Sequence, residues 1–249
     1  MYRFFVQPEQ LKQEEIRITG EDYNHMHNVL RMKSGETVLL SDESDKEYVC
    51  EIVRYNAEEA YAVLKITDIL GNARELPAKI TLFQGYPKGD KMETIVQKAV
   101  ELGVSEIVPV MMKRSIVKLD EKKAGKKVER LNAVALSAAK QSKRGIIPTV
   151  SPVMSMKEAV AYASGMDYIL LPYEHAEGME QSRRRLEAAK GKERIAVFIG
   201  PEGGFDEQEV DLVMEIGGVT LSLGHRILRT ETAGMTILSL LMFLLDQDA

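Results

Sequence analysis

The chain has 249 residues, 45% of them hydrophobic and 29% charged, with no tryptophan and one cysteine, Cys50. Those proportions describe a globular chain with one large or two modest cores and exclude a disordered or fibrous one, while the lone cysteine excludes an internal disulfide and a cysteine-rich zinc site. The formal net charge of −5 argues mildly against nucleic acid as a whole-chain average, but phosphate contacts answer to local fields, so the distribution of charge decides.

The opening Met1-Tyr2-Arg3-Phe4-Phe5-Val6 lacks a long apolar stretch with a small-residue cleavage site, which predicts no secretory leader and a cytoplasmic protein. Short alternating runs at 3–6, 16–19, 37–41, 48–55 and 60–67, separated by Asp, Glu, Ser and Asn clusters, predict a small, mostly β domain. One helical insert is expected from Asp22 to Arg31. After Gly71-Asn72-Ala73-Arg74-Glu75-Leu76-Pro77 the texture changes to strand-helix alternation, which predicts an α/β domain on a parallel sheet and a boundary between residues 72 and 73.

Within this second part Lys79 to Gln84 reads as a strand, and Asp90 with Glu93 has capping-box spacing. The helix it opens runs to Leu102, with Met92, Ile95, Val96, Ala99 and Val100 on one face and Gly103 ending it. Ile107 to Met111 is the next strand, Gly125 to Ser142 a helix, Ile146 to Val150 an extended piece, and Tyr168 to Leu171 and Ile195 to Ile199 buried strands. Asp206 to Glu209 repeats the capping pattern before a helix ending at Gly217, and Val219 to Leu223 is the last strand. Thr230 or Thr232 is expected to cap a final apolar helix. Its run from Met235 to Leu245 holds Thr236 and Ser239 and falls short of the roughly 20 residues a membrane span needs, so a buried helix and no membrane partner are expected.

Two segments follow predicted strands: Gly200-Pro201-Glu202-Gly203-Gly204, and the stretch from Leu223 to Ala233. Ligands of α/β sheets bind at such carboxyl edges. Gly203-Gly204 lets backbone approach a ligand without a Cβ clash, and Pro201 stiffens the entry; the plain alternative is a tight strand-to-helix connection. Neither the Gly-Lys-Ser/Thr ending of a nucleotide loop nor Gly-x-Gly-x-x-Gly is present, which disfavours phosphate cradling. Arg229 and Glu231 stand just before an almost wholly apolar helix, where unpaired charge is costly, and read either as a mutual ion pair or cap, or as reacting groups. His25, His27, His175 and His225 lack His-Glu-x-x-His spacing, and no serine sits in Gly-x-Ser-x-Gly. Metallohydrolase and serine-hydrolase readings fall away, leaving His25 and His27 as surface or capping residues. From Lys113 to Arg130 basic residues outnumber acidic ones, and Lys140, Lys143 and Arg144 extend the excess; alone, such a run is as readily a solvated helical face.

Gly200-Pro201-Glu202-Gly203-Gly204-Phe205 with Leu223-Gly224-x-Arg226-Ile227-Leu228-Arg229-Thr230-Glu231-Thr232-Ala233 resembles the bacterial ribosomal RNA small-subunit uridine N3-methyltransferases of the SPOUT superfamily. The likeness spans nearly the whole chain. Its further marks are Arg3-Phe4-Phe5, His27-x-x-x-Arg31-Met32-Lys33, Lys88-Gly89-Asp90-Lys91-Met92-Glu93, Gln97-Lys98-x-x-Glu101-Leu102-Gly103, and Gln141-Ser142-x-Arg144 before Pro148. Leu131, where relatives usually carry Trp, and His225, where Pro or a basic residue is common, depart from the pattern.

The resemblance implies an α/β fold in which a small N-terminal PUA-like RNA-binding β-barrel, residues 1–72, precedes a SPOUT methyltransferase domain, residues 73–249, with a trefoil knot and a homodimer formed through that C-terminal domain. It implies methyl transfer from S-adenosyl-L-methionine to N3 of a uridine in 16S rRNA, free or within the small ribosomal subunit, with no metal. The methyl donor is expected at Leu171, Ile199, Gly200, Pro201, Glu202, Gly203, Gly204, Leu223, Gly224, Ile227, Leu228, Arg229, Thr232 and Ala233. Arg229 is expected to stabilise charge on the uracil carbonyls, and Glu231 to orient Arg229 or accept the N3 proton. Because N3 lies on the Watson–Crick edge, the target must be unpaired or extruded and the surrounding backbone gripped. Arg3, Arg31, Lys33, Lys88, Lys91, Arg114, Lys143 and Arg144 are the expected phosphate contacts. Two other readings stay open: a non-catalytic RNA-binding assembly factor whose C-terminal domain only dimerises, and a knotted methyltransferase acting on tRNA or a ribose 2′-OH.

Overall fold

A computed structural model describes residues 1–12, 15–42, 46–71, 75–117, 120–176 and 178–246. The chain divides into two compact units, Met1–Glu75 with Lys143–Ile146, and Leu76–Ser142 with Ile147–Ala249. The expected boundary between residues 72 and 73 lies outside the described residues.

In the first unit the period-two runs become β1 (Tyr2–Phe5), β2 (Ile16–Thr19), β3 (Thr37–Ser41), β4 (Lys46–Asn56) and β5 (Tyr61–Gly71), with α1 (Gly20–Asn24) after β2. The sheet order is β1-β3-β4-β5-β2, with β1 parallel to β3 and the other neighbours antiparallel. Alternation sends Phe4, Ile16, Ile18, Val38, Leu40, Ile52 and Leu64 into one core. Cys50 lies in the same core, where burial pushes its thiol up to about 12, so it packs as a small apolar residue. The expected helix to Arg31 instead changes pitch. After α1, His25–Val29 forms a π turn, and Arg31 takes a left-handed φ of 53° that ends it. The wider turn stacks the His27 ring on Tyr23 at 5.4 Å and edge-on to Tyr55 at 4.8 Å, so His27 is a packing residue.

Two expected phosphate contacts are corrected here. Arg3 is buried, and its guanidinium donates to the Glu47 carboxylate and to the Lys143 carbonyl. Arg144 is 4% exposed; its Nε donates to both oxygens of Glu75 at 2.9 and 3.0 Å, and the Gly145 amide adds a third bond at 2.8 Å. Both cations are committed to carboxylates of the same unit, Glu47 buried and Glu75 partly buried. Ile146 also belongs to this unit, and the predicted extended piece shrinks to a strand at Thr149–Val150.

The second unit runs β6 (Lys79–Gly85), α2 (Lys91–Glu101), β7 (Glu106–Met111), α3 (Glu121–Ser142), β8 (Thr149–Val150), β9 (Met154–Ser155), α4 (Met156–Ala163), β10 (Tyr168–Pro172), α5 (Met179–Glu187), β11 (Arg194–Ile199), α6 (Glu207–Glu215), β12 (Val219–Leu221) and α7 (Thr230–Leu245). Its strands pair in parallel in the order β12-β10-β11-β6-β7-β8, with β9 also on β7. Continuous apolar runs such as Ile195–Ile199 suit strands covered on both faces, and Phe83 stacks on Phe198 at 4.5 Å across β6 and β11. The face predicted for α2 is the buried one, and Gly103 ends that helix at φ 92°. Leu131, the departure on α3, is buried.

Capping follows the backbone and not the letters alone. Asp206 and Glu209 form the expected box at the start of α6, whereas Asp90, at φ −96° and ψ 10°, makes no side-chain cap, and Glu93 pairs with Arg130 at 2.9 Å. Thr230 and Thr232 do not cap α7; Arg229 occupies the N-cap position, and Thr230 is already helical. The helices α4 and α5 were not expected. Ser155 and Glu158 carry a complete capping box for α4, while α5 is too polar to show an apolar period and buries only Ser182. Among the described residues no helix is long and apolar enough to cross a membrane.

Removing one end of the interior pair Arg3–Glu47, whose side chains are 2% and 6% exposed, takes a buried opposite charge away from the other. Glu47→Ala is expected to lower the free energy of unfolding by about 3–5 kcal/mol, measured by urea denaturation, and Arg3→Met with Glu47→Leu to recover most of that loss.

Candidate active site

Because β12, β10, β11 and β6 are parallel neighbours, their carboxyl ends meet at one edge, where Pro172 pairs with Leu221 and Ile199 with Gln84. A cavity of about 610 Å³ opens there, lined by residues 172–174, 199–202, 204–205, 222–230 and 233 with Lys88 and Lys91. Both glycine-bearing loops therefore wall the same space.

Four sets of contacts hold the loops in place. Gly85, at the end of β6, lies against the Gly200–Pro201 peptide; a Cβ on it would stand 2.5 Å from Pro201 N. The Thr230 hydroxyl donates to the Gly200 carbonyl at 2.6 Å and accepts from Gln84 Nε2 at 2.8 Å. Lys91 Nζ sits 3.0 Å from Glu202 and 3.4 Å from Glu231, joining the first loop to the first turn of α7. Arg114 donates to the Gly203 carbonyl at 3.2 Å and crowds that glycine's Cα, while Lys113 bonds Asp206 through Nζ at 3.0 Å and Glu209 through its amide at 2.7 Å. The loop closes on a Gly204 N–H to Pro201 carbonyl bond of 2.9 Å, with Gly204 at φ 71°, a region that glycine enters without penalty.

The charges are tuned by these contacts. Burial pushes the Glu202 carboxyl up, but hydrogen bonds from Lys91 and the Lys88 amide, with the Lys91 charge, outweigh it and hold the group below the usual carboxylate range. The Glu202 hydrogen bond chiefly, with Glu231 behind it, raises the Lys91 ammonium. Lys113 lowers Asp206 in the same way. Among the described residues no cluster of His, Cys, Asp and Glu could hold a metal ion.

Of the expected donor-binding residues, Ile199, Gly200, Pro201, Glu202, Gly204, Leu223, Gly224, Ile227, Leu228, Arg229 and Ala233 line the cavity. Leu171, Gly203 and Thr232 do not: Leu171 is fully buried in β10, Gly203 is backed onto Arg114, and Thr232 is exposed on α7. Arg229 is exposed on the cavity wall. Glu231 is neither its ion-pair partner nor a lining residue, because the carboxylate lies against Lys91 with Oε2 buried and outside hydrogen-bond geometry. That arrangement removes the expected orientation of Arg229 by Glu231. Lys91, expected on phosphate, is instead held by two carboxylates. Lys88 is exposed at the cavity and Arg114 beside Gly203, while Arg31, Lys33 and Lys143 are exposed in the first unit.

Sequence reasoning missed Pro172, Tyr173, Glu174, Phe205, Ser222 and Thr230 as wall residues. The first three follow a strand that was itself predicted, so the edge rule applied to that strand finds them. Thr230 gave only a capping signal.

Two families match: the RNA methyltransferase domain over residues 74–242 and the RNA methyltransferase PUA domain over residues 18–65. An α/β fold with a PUA-like N-terminal domain and a loop-walled cavity at the sheet edge of the second is thus that of an RNA methyltransferase. The chain is 37% identical to ribosomal RNA small subunit methyltransferase E of Bacillus subtilis, over 98% of this chain and 96% of that protein, and 32% identical to the protein of the same name from Mesomycoplasma hyopneumoniae, over 96% and 98%. Among solved structures, ribosomal RNA small subunit methyltransferase E from Neisseria gonorrhoeae bound to S-adenosyl methionine aligns with a TM-score of 0.79 at 30% identity, covering 96% of this chain and 95% of that one. A methyltransferase from Legionella pneumophila in complex with the bound cofactor SAM aligns at 0.80 and 32% identity, covering 96% of each. The chain belongs to the ribosomal RNA small subunit methyltransferase E family.

A depressed Glu202 keeps its link to Lys91 at neutral pH; the stabilisation is present above the ordinary carboxylate pKa and is lost only as pH falls through the lowered value. Lys91→Met removes the Lys91 hydrogen bond and charge, leaving burial opposed only by the backbone amides of Glu202 and Lys88. The Glu202 pKa is then expected to rise, followed by NMR titration of its side chain.

Proposed function

We propose that this protein transfers a methyl group from S-adenosyl-L-methionine to N3 of a uridine in 16S rRNA of the small ribosomal subunit, acting in the cytoplasm where that RNA is found. The observation that carries the reading is the single cavity walled by both glycine-bearing loops, in a chain whose relatives are named as small-subunit rRNA methyltransferases. Its volume of about 610 Å³ falls within the roughly 300–1,000 Å³ of small-molecule sites. Ile199, Leu228 and Ala233 offer apolar wall for a purine, and the backbone of 200–204 and 223–228 offers hydrogen-bonding edges free of side-chain bulk. The donor, when bound, supplies an electrophilic methyl carbon on a sulfonium.

The protein's own residues then have three tasks. The loops hold the donor and exclude water, positioning being the main source of rate. Arg229 presents a guanidinium on the cavity wall, suited to the negative charge that develops on the uracil carbonyls as N3 loses its proton. Glu231 holds Lys91, and so keeps the first turn of α7 against the Glu202 loop. Lys88 and Arg114 in the second unit, and Arg31, Lys33 and Lys143 in the first, are exposed cations for the RNA backbone. Residues 1–72 serve as the RNA-binding domain and residues 73–249 as the methyltransferase domain.

A trefoil knot in the second domain agrees with the tight stacking of Gly85, Gly200–Pro201 and Thr230. A homodimer through that domain accounts for α7, which leaves Phe243 87% and Leu240 39% exposed on an otherwise apolar helix.

Incubating the protein and S-adenosylmethionine with small-subunit RNA, and separately with assembled subunits, from cells lacking it tests the activity. N3-methyluridine detected by mass spectrometry in either supports the reading, and its absence from both overturns it. Arg229→Ala is expected to cut turnover about 10²–10³-fold while leaving donor affinity by calorimetry nearly unchanged. Phe243→Glu is expected to give a monomer by sedimentation.

A further inference from the structure

We propose that Gln84 and Thr230 form a buried positioning relay that sets the affinity for the methyl donor, with Gln84 acting from outside the cavity; the inference rests on the donor-binding role of the cavity given above. Gln84 is fully buried at the end of β6. Its Nε2 donates to the Gly85 carbonyl at 3.0 Å and to Thr230 Oγ1 at 2.8 Å. Thr230 Oγ1 in turn donates to the Gly200 carbonyl at 2.6 Å.

The direction of this chain is fixed by counting protons. A side-chain amide nitrogen has two, and both are spent; flipping the amide would set Oε1 against the Gly85 carbonyl, two acceptors face to face. The Thr230 hydroxyl has one proton, and because it accepts from Gln84 that proton goes to Gly200. The relay therefore ties the first strand of the sheet, the start of α7 and the glycine loop, with partners 146 and 30 residues apart. Arg229 is the residue before Thr230 and the N-cap of α7.

A stability argument alone does not explain Gln84. Its Oε1 is buried without a hydrogen bond, an expense that an apolar side chain of similar length avoids. An amide retained under that penalty makes sense if its two protons are needed. Lys91 joins the same two segments by charge, but its flexible ammonium tolerates slack that a carbonyl locked at 2.6 Å does not.

The test separates positioning from stability. Gln84→Met keeps the shape and removes both donors; in protein shown by circular dichroism to be folded at the assay temperature, it is expected to weaken S-adenosylmethionine binding about tenfold by calorimetry, the loss of one to two hydrogen bonds of ordering. Thr230→Val is expected to weaken binding similarly and to speed amide exchange across residues 200–204, and Thr230→Ser, which keeps the hydroxyl, to restore binding. If Gln84→Met and Thr230→Val take up the donor as the unaltered protein does, or if Thr230→Ser is as weak as Thr230→Val, the relay is refuted. Failure of the unaltered protein to bind the donor would instead refute the reading on which the relay rests.

Discussion

The Gly200–Pro201 peptide lies so close to Gly85 that a single added carbon would sit 2.5 Å from Pro201 N. That approach of two backbones governs the rest of the second unit. It holds the carboxyl end of β11 beside that of β6 and leaves no room for a side chain between Gly85 and the Gly200–Pro201 peptide, while Glu202 and Gly204 contribute to the cavity wall. Thr230 then meets the Gly200 carbonyl, and Lys91 meets carboxylates on both segments. A site of this kind is made largely of main chain. Its specificity for a ligand resides in where carbonyls and amides point, which side chains behind the wall determine.

Cations divide into two populations with opposite roles. Arg3 and Arg144 are sunk against Glu47 and Glu75, where they help to specify the first unit, whereas Arg31, Lys33 and Lys88 are exposed. Removing a buried cation strands a carboxylate in low dielectric; removing an exposed one changes little but the surrounding field. Phosphate attraction therefore belongs to the second population, and the basic count along the chain overstates it.

What the sequence discloses follows the range of the interaction concerned. Asp206 and Glu209 are three residues apart and their box is legible; Asp90 and Glu93 share the spacing, yet the Asp90 backbone turns its carboxylate away from the helix amides. The strands ending at Ile199 and Leu221 point to a ligand edge, because an apolar run followed by glycine carries that meaning locally. That both loops hold one donor comes from the family resemblance and not from either loop's own residues, and that Thr230 is bonded across the site instead of capping depends on partners distant in sequence. Arg3 and Arg144 mislead for the same reason: a charge is visible in the sequence, but its carboxylate partner is not. The helix α5 stayed hidden because Met179–Glu187 has no apolar stripe to announce it.

The short return of Lys143–Ile146 to the first unit also bears on how the molecule is made. As the chain leaves the ribosome, Met1–Glu75 emerges without Arg144 or Gly145, so the Glu75 carboxylate waits for its ligands until residue 146 has been synthesised. Completion of the amino-terminal unit is thus coupled to translation of β6, α2, β7 and α3. No single crossover in the gene exchanges that unit intact between relatives.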